Sequence, residues 1–182
     1  MAATHPTSPG ELVVWMVEDA RENLRRGGRL SVVAVGIFRL RQFGARNSGA
    51  LAAAVRFLSL PLGAFARLGL GCEVPGAVAC GRRLVLAHGG RGVIVVDDAV
   101  LGDDVVLAPF SAVGAAYPAP GAPVLGDGVY LGAQAAVLGA VTIGDGAFLG
   151  ARALVLQDLG PGAVALGVPA QVIEPPSAQQ AG

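Results

Sequence analysis

The chain has 182 residues, 53% apolar but only 5% aromatic, with 28 glycines and a formal net charge of zero from 13 basic and 13 acidic residues. That length holds one compact domain with an appendage rather than two full domains. The charge balance excludes a general electrostatic pull toward nucleic acid or anionic lipid, so an anionic ligand would need a local site.

The opening MAATHPTSPG lacks a basic stretch followed by an apolar one, and residues 1–10 are expected to be a disordered tail. Ser8-Pro9-Gly10-Glu11 then supplies a capping serine, a proline at the first helical position and a glutamate three after the cap. Leu12, Met16, Ala20 and Leu24 follow at spacing four until Gly27-Gly28 ends the pattern. Ser31 to Phe43 and Gly49 to Leu68 also read as helical, with Gly44 to Ser48 as a break and Pro61 as a kink. Residues 11–70 are therefore expected to be a helical N-terminal region. The apolar run Leu51 to Leu70 is interrupted by Arg56, Pro61 and Arg67, so neither a signal peptide nor a membrane span is expected. Cys72 and Cys80, in a chain read as cytoplasmic, are expected to be buried reduced thiols.

From Cys80 onward short aliphatic runs alternate with glycine, and the period is six. Val95, Leu101, Leu107, Val113, Leu125, Leu131, Val137, Ile143, Leu149 and Val155 fill ten of the eleven positions spaced by six between 95 and 155, with Ala119 the one break. Glycine follows six of the ten: Gly102, Gly114, Gly126, Gly132, Gly144 and Gly150. A helix repeats every 3.6 residues and a strand every two, so neither gives this pattern. A turn after every short strand does, and three such strands close a triangular coil. Residues eighteen apart, such as Val95, Val113, Leu131 and Leu149, are then expected to stack in one interior column. Residues 174–182 are expected to be a second disordered tail.

The stretch 71–173 carries GCEVPGAVACGRRLVLAHGGRGVIV, AVLGDDVVL, APVLGDGVYLGAQAAVLGAVTIGDGAFLGARALVLQDL and GVPAQVI. It resembles the serine acetyltransferase branch of the hexapeptide-repeat acyltransferases, including relatives that acetylate exopolysaccharide sugars. The resemblance implies an all-β repeat fold, a left-handed parallel β-helix, assembled as a homotrimer or a dimer of trimers with active sites between subunits. It implies acetyl-CoA as acyl donor, a small hydroxylated acceptor and no metal.

Within the resemblance His88 falls at the position of the general base and Glu73 at that of its carboxylate partner. The chemistry suits those residue types. A hydroxyl attacks a thioester slowly unless an imidazole takes its proton, and a carboxylate on the far ring nitrogen fixes the tautomer. The only other histidine, His5, lies in the expected N-terminal tail. Gly132, Ala133, Gly150 and Ala151 match the small residues that line the coenzyme A groove, where small side chains let pantetheine approach the backbone. Gln171 stands where an arginine is usual in Gly167-Val168-Pro169-Ala170, and Arg152 is a substitute for a phosphate contact.

Three features depart from the serine-specific pattern. Ala87 replaces the acidic residue before the histidine, Gly121-Ala122-Pro123 stands where Arg-His-Pro is expected, and the segment 115–123 is trimmed to one hexad. These losses favour a sugar or other hydroxylated metabolite as acceptor. A true serine O-acetyltransferase and a non-catalytic β-helix assembly subunit stand as alternatives. A γ-type carbonic anhydrase needs three zinc-ligating histidines, which one ordered histidine per chain does not supply. No CxxC pair, phosphate-binding loop or basic-aromatic patch points to metal or nucleic acid.

Overall fold

The computed structural model describes residues 5–118 and 120–173. Residues 1–4 of the first expected tail, all of the second, 174–182, and Ala119 lie outside the described residues, while residues 5–10 are described and the first helix begins among them at Pro9. Helices α1 (Pro9–Arg26), α2 (Arg29–Arg46), α3 (Ala50–Leu58) and α4 (Leu60–Leu68) precede a solenoid of short strands. The Ser8 hydroxyl caps α1 by accepting from the Glu11 amide at 3.2 Å, as the sequence signature implies.

The strands run β1 (Ala79–Cys80), β2 (Val85–Leu86), β3 (Ile94–Val95), β4 (Val100–Leu101), β5 (Val106–Leu107), β6 (Ala112–Gly114), β7 (Val124–Leu125), β8 (Tyr130–Leu131), β9 (Ala136–Leu138), β10 (Thr142–Ile143), β11 (Phe148–Leu149), β12 (Leu154–Val155), β13 (Val164–Leu166) and β14 (Gln171–Ile173). They form the three faces of a left-handed parallel β-helix, ordered β1-β4-β7-β10, β2-β5-β8-β11-β13 and β3-β6-β9-β12. The hexad aliphatics fill the interior, each 2% exposed or less.

The interior columns differ from simple spacing of eighteen. Val95 stacks on Val113, which stacks on Val137 and then Val155, whereas Leu131 and Leu149 belong with Leu86 and Leu107 on another face. The cause is the loop between β6 and β7, which adds one hexad that never enters a face. Registers crossing it advance by 24 residues, as from Leu101 to Leu125, and later ones return to 18, as from Leu125 to Ile143. A second excursion, between β2 and β3, makes the first register 21, as from Leu86 to Leu107. That excursion contains His88.

A solenoid leaves unpaired backbone groups at each end. At the C-terminal end, β14 folds back antiparallel on β13. At the N-terminal end, polar side chains of α1 and α2 satisfy the first coil. Arg39 donates to the Cys80 carbonyl at 3.0 Å and to the Gly81 carbonyl, and Gln42 donates to the Val78 carbonyl at 3.1 Å. Asn23 brackets β2, donating to the Leu84 carbonyl at 2.7 Å and accepting from the Leu86 amide at 3.0 Å. Asp19 accepts from the Leu84 amide at 3.0 Å and pairs with Arg39 at 2.6 Å, both side chains wholly buried. Burial pushes the Asp19 carboxyl above the usual range, and the Arg39 guanidinium opposes that shift.

The buried stripe of α1 is therefore Leu12, Trp15, Asp19 and Asn23, not the expected aliphatic row; Leu24 is 60% exposed. The polar pair wins the inner face because only hydrogen-bonding groups can satisfy the coil edge.

Candidate active site

His88 lies in the 3₁₀ turn Ala87–Gly90, which breaks the hexad between β2 and β3. Its backbone sits in the left-handed region at φ 52°, ψ 36°. Such a conformation costs a non-glycine residue free energy and persists only where the surroundings enforce it. Here α2 and the segment that follows α4 hold it. The Gly89 amide donates to the Ser31 hydroxyl at 2.9 Å, and a Cβ at Gly90 would stand 2.9 Å from the Cys72 sulfur. His88 itself is exposed.

His88 lines a cleft of about 650 Å³ with Ala87, Val106, Ala108, Pro109, Tyr130 and Ala133, closed on one side by Arg26 from the last turn of α1. Continuing the register of β2, β5, β8 and β11 by two residues aligns His88 with Pro109, Ala133 and Ala151 along one corner of the solenoid. The lower steps are tied coil to coil: the Gln134 amide donates to the Pro109 carbonyl at 2.9 Å, and the Arg152 amide to the Ala133 carbonyl at 2.8 Å. Four small residues expected to line a groove thus stack in two layers, with Gly132 and Gly150 buried beneath the exposed Ala133 and Ala151. Gly132 is required by space, since a Cβ there would lie 2.6 Å from the Ala151 nitrogen. Arg152 stands at the far end, about 14 Å below His88 for three coil steps of about 4.8 Å. Its Nε donates to the Gln134 side chain at 3.0 Å.

Glu73 joins the N-terminal end of the solenoid, the end that carries His88, through backbone pairing. Its amide donates to the Val93 carbonyl at 2.9 Å, and the Gly92 amide donates to the Gly71 carbonyl at 2.8 Å. Its carboxylate, however, lines a separate hollow with Pro75, Asp97, Gly121 and Ala122, and pairs with Arg67 at 3.4 Å. Among the described residues no hydrogen bond joins it to His88. The two positions marking the departure from the serine pattern separate accordingly, Ala87 in the His88 cleft and Ala122 beside Glu73.

Arg26, Arg29, Arg91 and Tyr130 were not singled out by the sequence. Arg29 and Arg91 share a second hollow with His88. Tyr130 had a faint signal as an outward aromatic beside a hexad leucine, and its ring stacks on Phe148 with centroids 4.9 Å apart. The arginines had none, because packing of α1 and α2 on the coil brings them there. The motif Gly167-Val168-Pro169-Ala170 forms the turn between β13 and β14, and Gln171 opens the capping strand. Among the described residues, no group of three or more His, Cys, Asp or Glu side chains is placed to hold a metal ion.

Residues 122–157 match the family model described as bacterial transferase hexapeptide (six repeats). That segment of the solenoid is similar to the hexapeptide-repeat transferases. Within that group the chain resembles serine acetyltransferases. It is 38% identical over 121 residues to the serine acetyltransferase of Mycobacterium tuberculosis, covering 65% of this chain and 52% of that protein. The chain thus spans about half the length of the curated relative it matches. The soybean serine acetyltransferase complexed with serine superposes with a TM-score of 0.77 at 27% identity, over 89% of this chain and 69% of that one. A serine acetyltransferase in complex with CoA shares the fold, with a TM-score of 0.75 at 20% identity over 91% of this chain and 70% of that one.

Proposed function

We propose that the protein is an acyl-CoA-dependent O-acyltransferase, with acetyl-CoA as donor and His88 as general base. The observation that carries this reading is the placement of His88, held in a left-handed turn at the head of the corner column Pro109, Ala133, Ala151. A base at one end of a lane of small residues suits a long, thin thioester lying along the solenoid. The similarity to serine acetyltransferases supports the same donor.

The imidazole takes the proton of the acceptor hydroxyl as its oxygen attacks the thioester carbonyl. The tetrahedral adduct collapses, the C–S bond breaks, and the imidazolium returns the proton to the departing coenzyme A sulfur. Gly132, Ala133, Gly150 and Ala151 let pantetheine lie against backbone, and Arg152 meets a phosphate or the carbonyl-rich arm. Glu73 is the imidazole's carboxylate partner, a role that requires it to leave Arg67. The protein acts as a homotrimer, single or paired, with sites completed between subunits.

The acceptor is a sugar or another small hydroxylated metabolite. Ala87 beside His88 and Ala122 beside Glu73 offer no charged group for the ammonium and carboxylate of an amino acid, and an unpaired charge in a closed site is costly. A second reading, true serine O-acetyltransferase, is favoured by the likeness to the serine-bound soybean structure, and Arg26, Arg29 and Arg91 would offer its carboxylate a partner. Coenzyme A release measured against serine, homoserine, nucleotide sugars and glycans separates the two. Efficient turnover of serine alone sinks the sugar reading, and absence of release with every acceptor sinks the enzyme reading.

A further inference from the structure

The zero net charge of the chain conceals a segregation. Between Asn23 and Cys72 there are eight arginines and no aspartate or glutamate, while the solenoid holds most of the acids. Helices α3 and α4 lie within that acid-free stretch, and their packing is inverted. The buried positions are small, Ala52, Ser59, Gly63 and Ala66. The large apolar residues face outward: Phe57 is 73% exposed, Leu58 70%, Phe65 51% and Leu68 85%. Soluble helices place their large apolar residues inward, and an exposed apolar surface of this kind marks a contact.

We propose that the α3–α4 face docks on an anionic lipid bilayer, lying in the headgroup region with Phe57, Leu58 and Phe65 inserted and Arg56 among the lipid phosphates. The chemistry fits this occupant on two counts. Outward aromatic and leucine side chains beside arginine make an interfacial helix, whose binding sums apolar burial and attraction to anionic headgroups. A second copy seated symmetrically through the same face would set Arg56 against a stretch whose nearest carboxylate in sequence, Glu73, already pairs with Arg67 at 3.4 Å. The pair also lies on the membrane rather than crossing it. Ala50–Leu68 is long and apolar enough to span, yet it is fastened to α2: a Cβ at Gly44 would lie 2.7 Å from the Arg56 nitrogen, and one at Gly63 2.7 Å from Arg41 Nε. After α4 the chain enters the first coil, where the Cys72 amide donates to the Ala66 carbonyl at 2.9 Å.

The test is cosedimentation of the full chain with phosphatidylcholine vesicles with and without roughly one-third phosphatidylglycerol, at low salt and at about 0.5 M salt. Binding is expected to the anionic vesicles, falling by about tenfold or more at high salt and in the double variant F57S/L58S, and by a smaller factor in R56Q. These side chains are exposed and outside the catalytic cleft, so unchanged oligomeric state and melting temperature in the variants exclude a folding defect. His88→Ala should bind vesicles as the unsubstituted chain does, which keeps this test separate from the acyltransfer reading. The proposal is overturned if the unsubstituted chain ignores anionic vesicles or binds neutral ones equally. It is also overturned if F57S/L58S leaves lipid binding intact, or acts by dissociating an assembly held through this face.

Discussion

The Ser31 hydroxyl on α2 accepts the amide hydrogen of Gly89, the residue after His88, at 2.9 Å. This contact ties the helical region to the turn that holds the imidazole, so the helices position the site as well as capping the coil. Ser31→Ala would strand a buried amide at a cost of about 1–3 kcal/mol. The expected outcome is a lowered melting temperature together with a fall in kcat at nearly constant donor affinity. A variant as active and as stable as the parent would show that the turn holds itself.

Replacing His88 with alanine or asparagine should lower kcat by about two to four orders of magnitude and leave acetyl-CoA affinity nearly unchanged. Glu73→Gln should lose less, because the imidazole remains and only its partner weakens. Within one chain His5 stands too far away to substitute as base. Asn47, just past the C-terminal end of α2, bonds the Pro6 carbonyl, whereas His88 meets the N-terminal end, and eighteen helical residues span about 27 Å. Steady-state kinetics with isothermal titration of the donor check this, and full activity in a folded His88→Ala protein would leave the mechanism without a base.

Arg39→Leu should destabilise the fold by about 3–5 kcal/mol, because it leaves Asp19 buried without its charge partner and takes the guanidinium donors away from the carbonyls of Cys80 and Gly81. The double change Asp19→Leu with Arg39→Leu should not recover all of that loss, since the Leu84 amide loses its acceptor and the Gly81 carbonyl its guanidinium donor, while the Cys80 carbonyl keeps only Gln42 at 3.2 Å. Thermal unfolding measures both. Full recovery in the double variant would mean that the coil edge is satisfied by water.

Burial pushes the Cys72 thiol up to about 11 and the Cys80 thiol up to about 12. At pH 8 a thiol at 11 is roughly one part in a thousand thiolate, so both should resist alkylation until the protein unfolds. These raised values favour the protonated form in the folded state. Their contribution is therefore whole below the unfolded thiol value of about 8.5 and is lost as pH rises toward 11 and 12. Rapid labelling of the folded protein by iodoacetamide at pH 8 would contradict the burial.

Light scattering at micromolar concentration should find three or six chains per particle. Isolated β-helix faces leave exposed apolar residues such as Ile94, Val124 and Phe148 that neighbouring subunits can cover. A monomer would remove the shared-site mechanism.

The sequence by itself determined the solenoid. A six-residue aliphatic period can bury its apolar residues in a short-strand coil, and each hexad carries that requirement locally, so the fold was legible from Val95 to Val155. The interruptions were legible too, in the segment holding His88 and in the missing aliphatic at Ala119, because a gap in the pattern is itself a local signal. Only the tertiary structure decided which residues stack, since a loop of one hexad keeps the six-residue phase while moving every later residue to another face. It also decided that Asp19 and Asn23 face inward on α1: their partners are backbone groups of the first coil more than sixty residues away, and no local pattern records them. Arg26, Arg29 and Arg91 joined the His88 hollows for the same reason. The separation of Glu73 from His88 is likewise tertiary, for its carboxylate was free in the sequence and is paired with Arg67 in the fold.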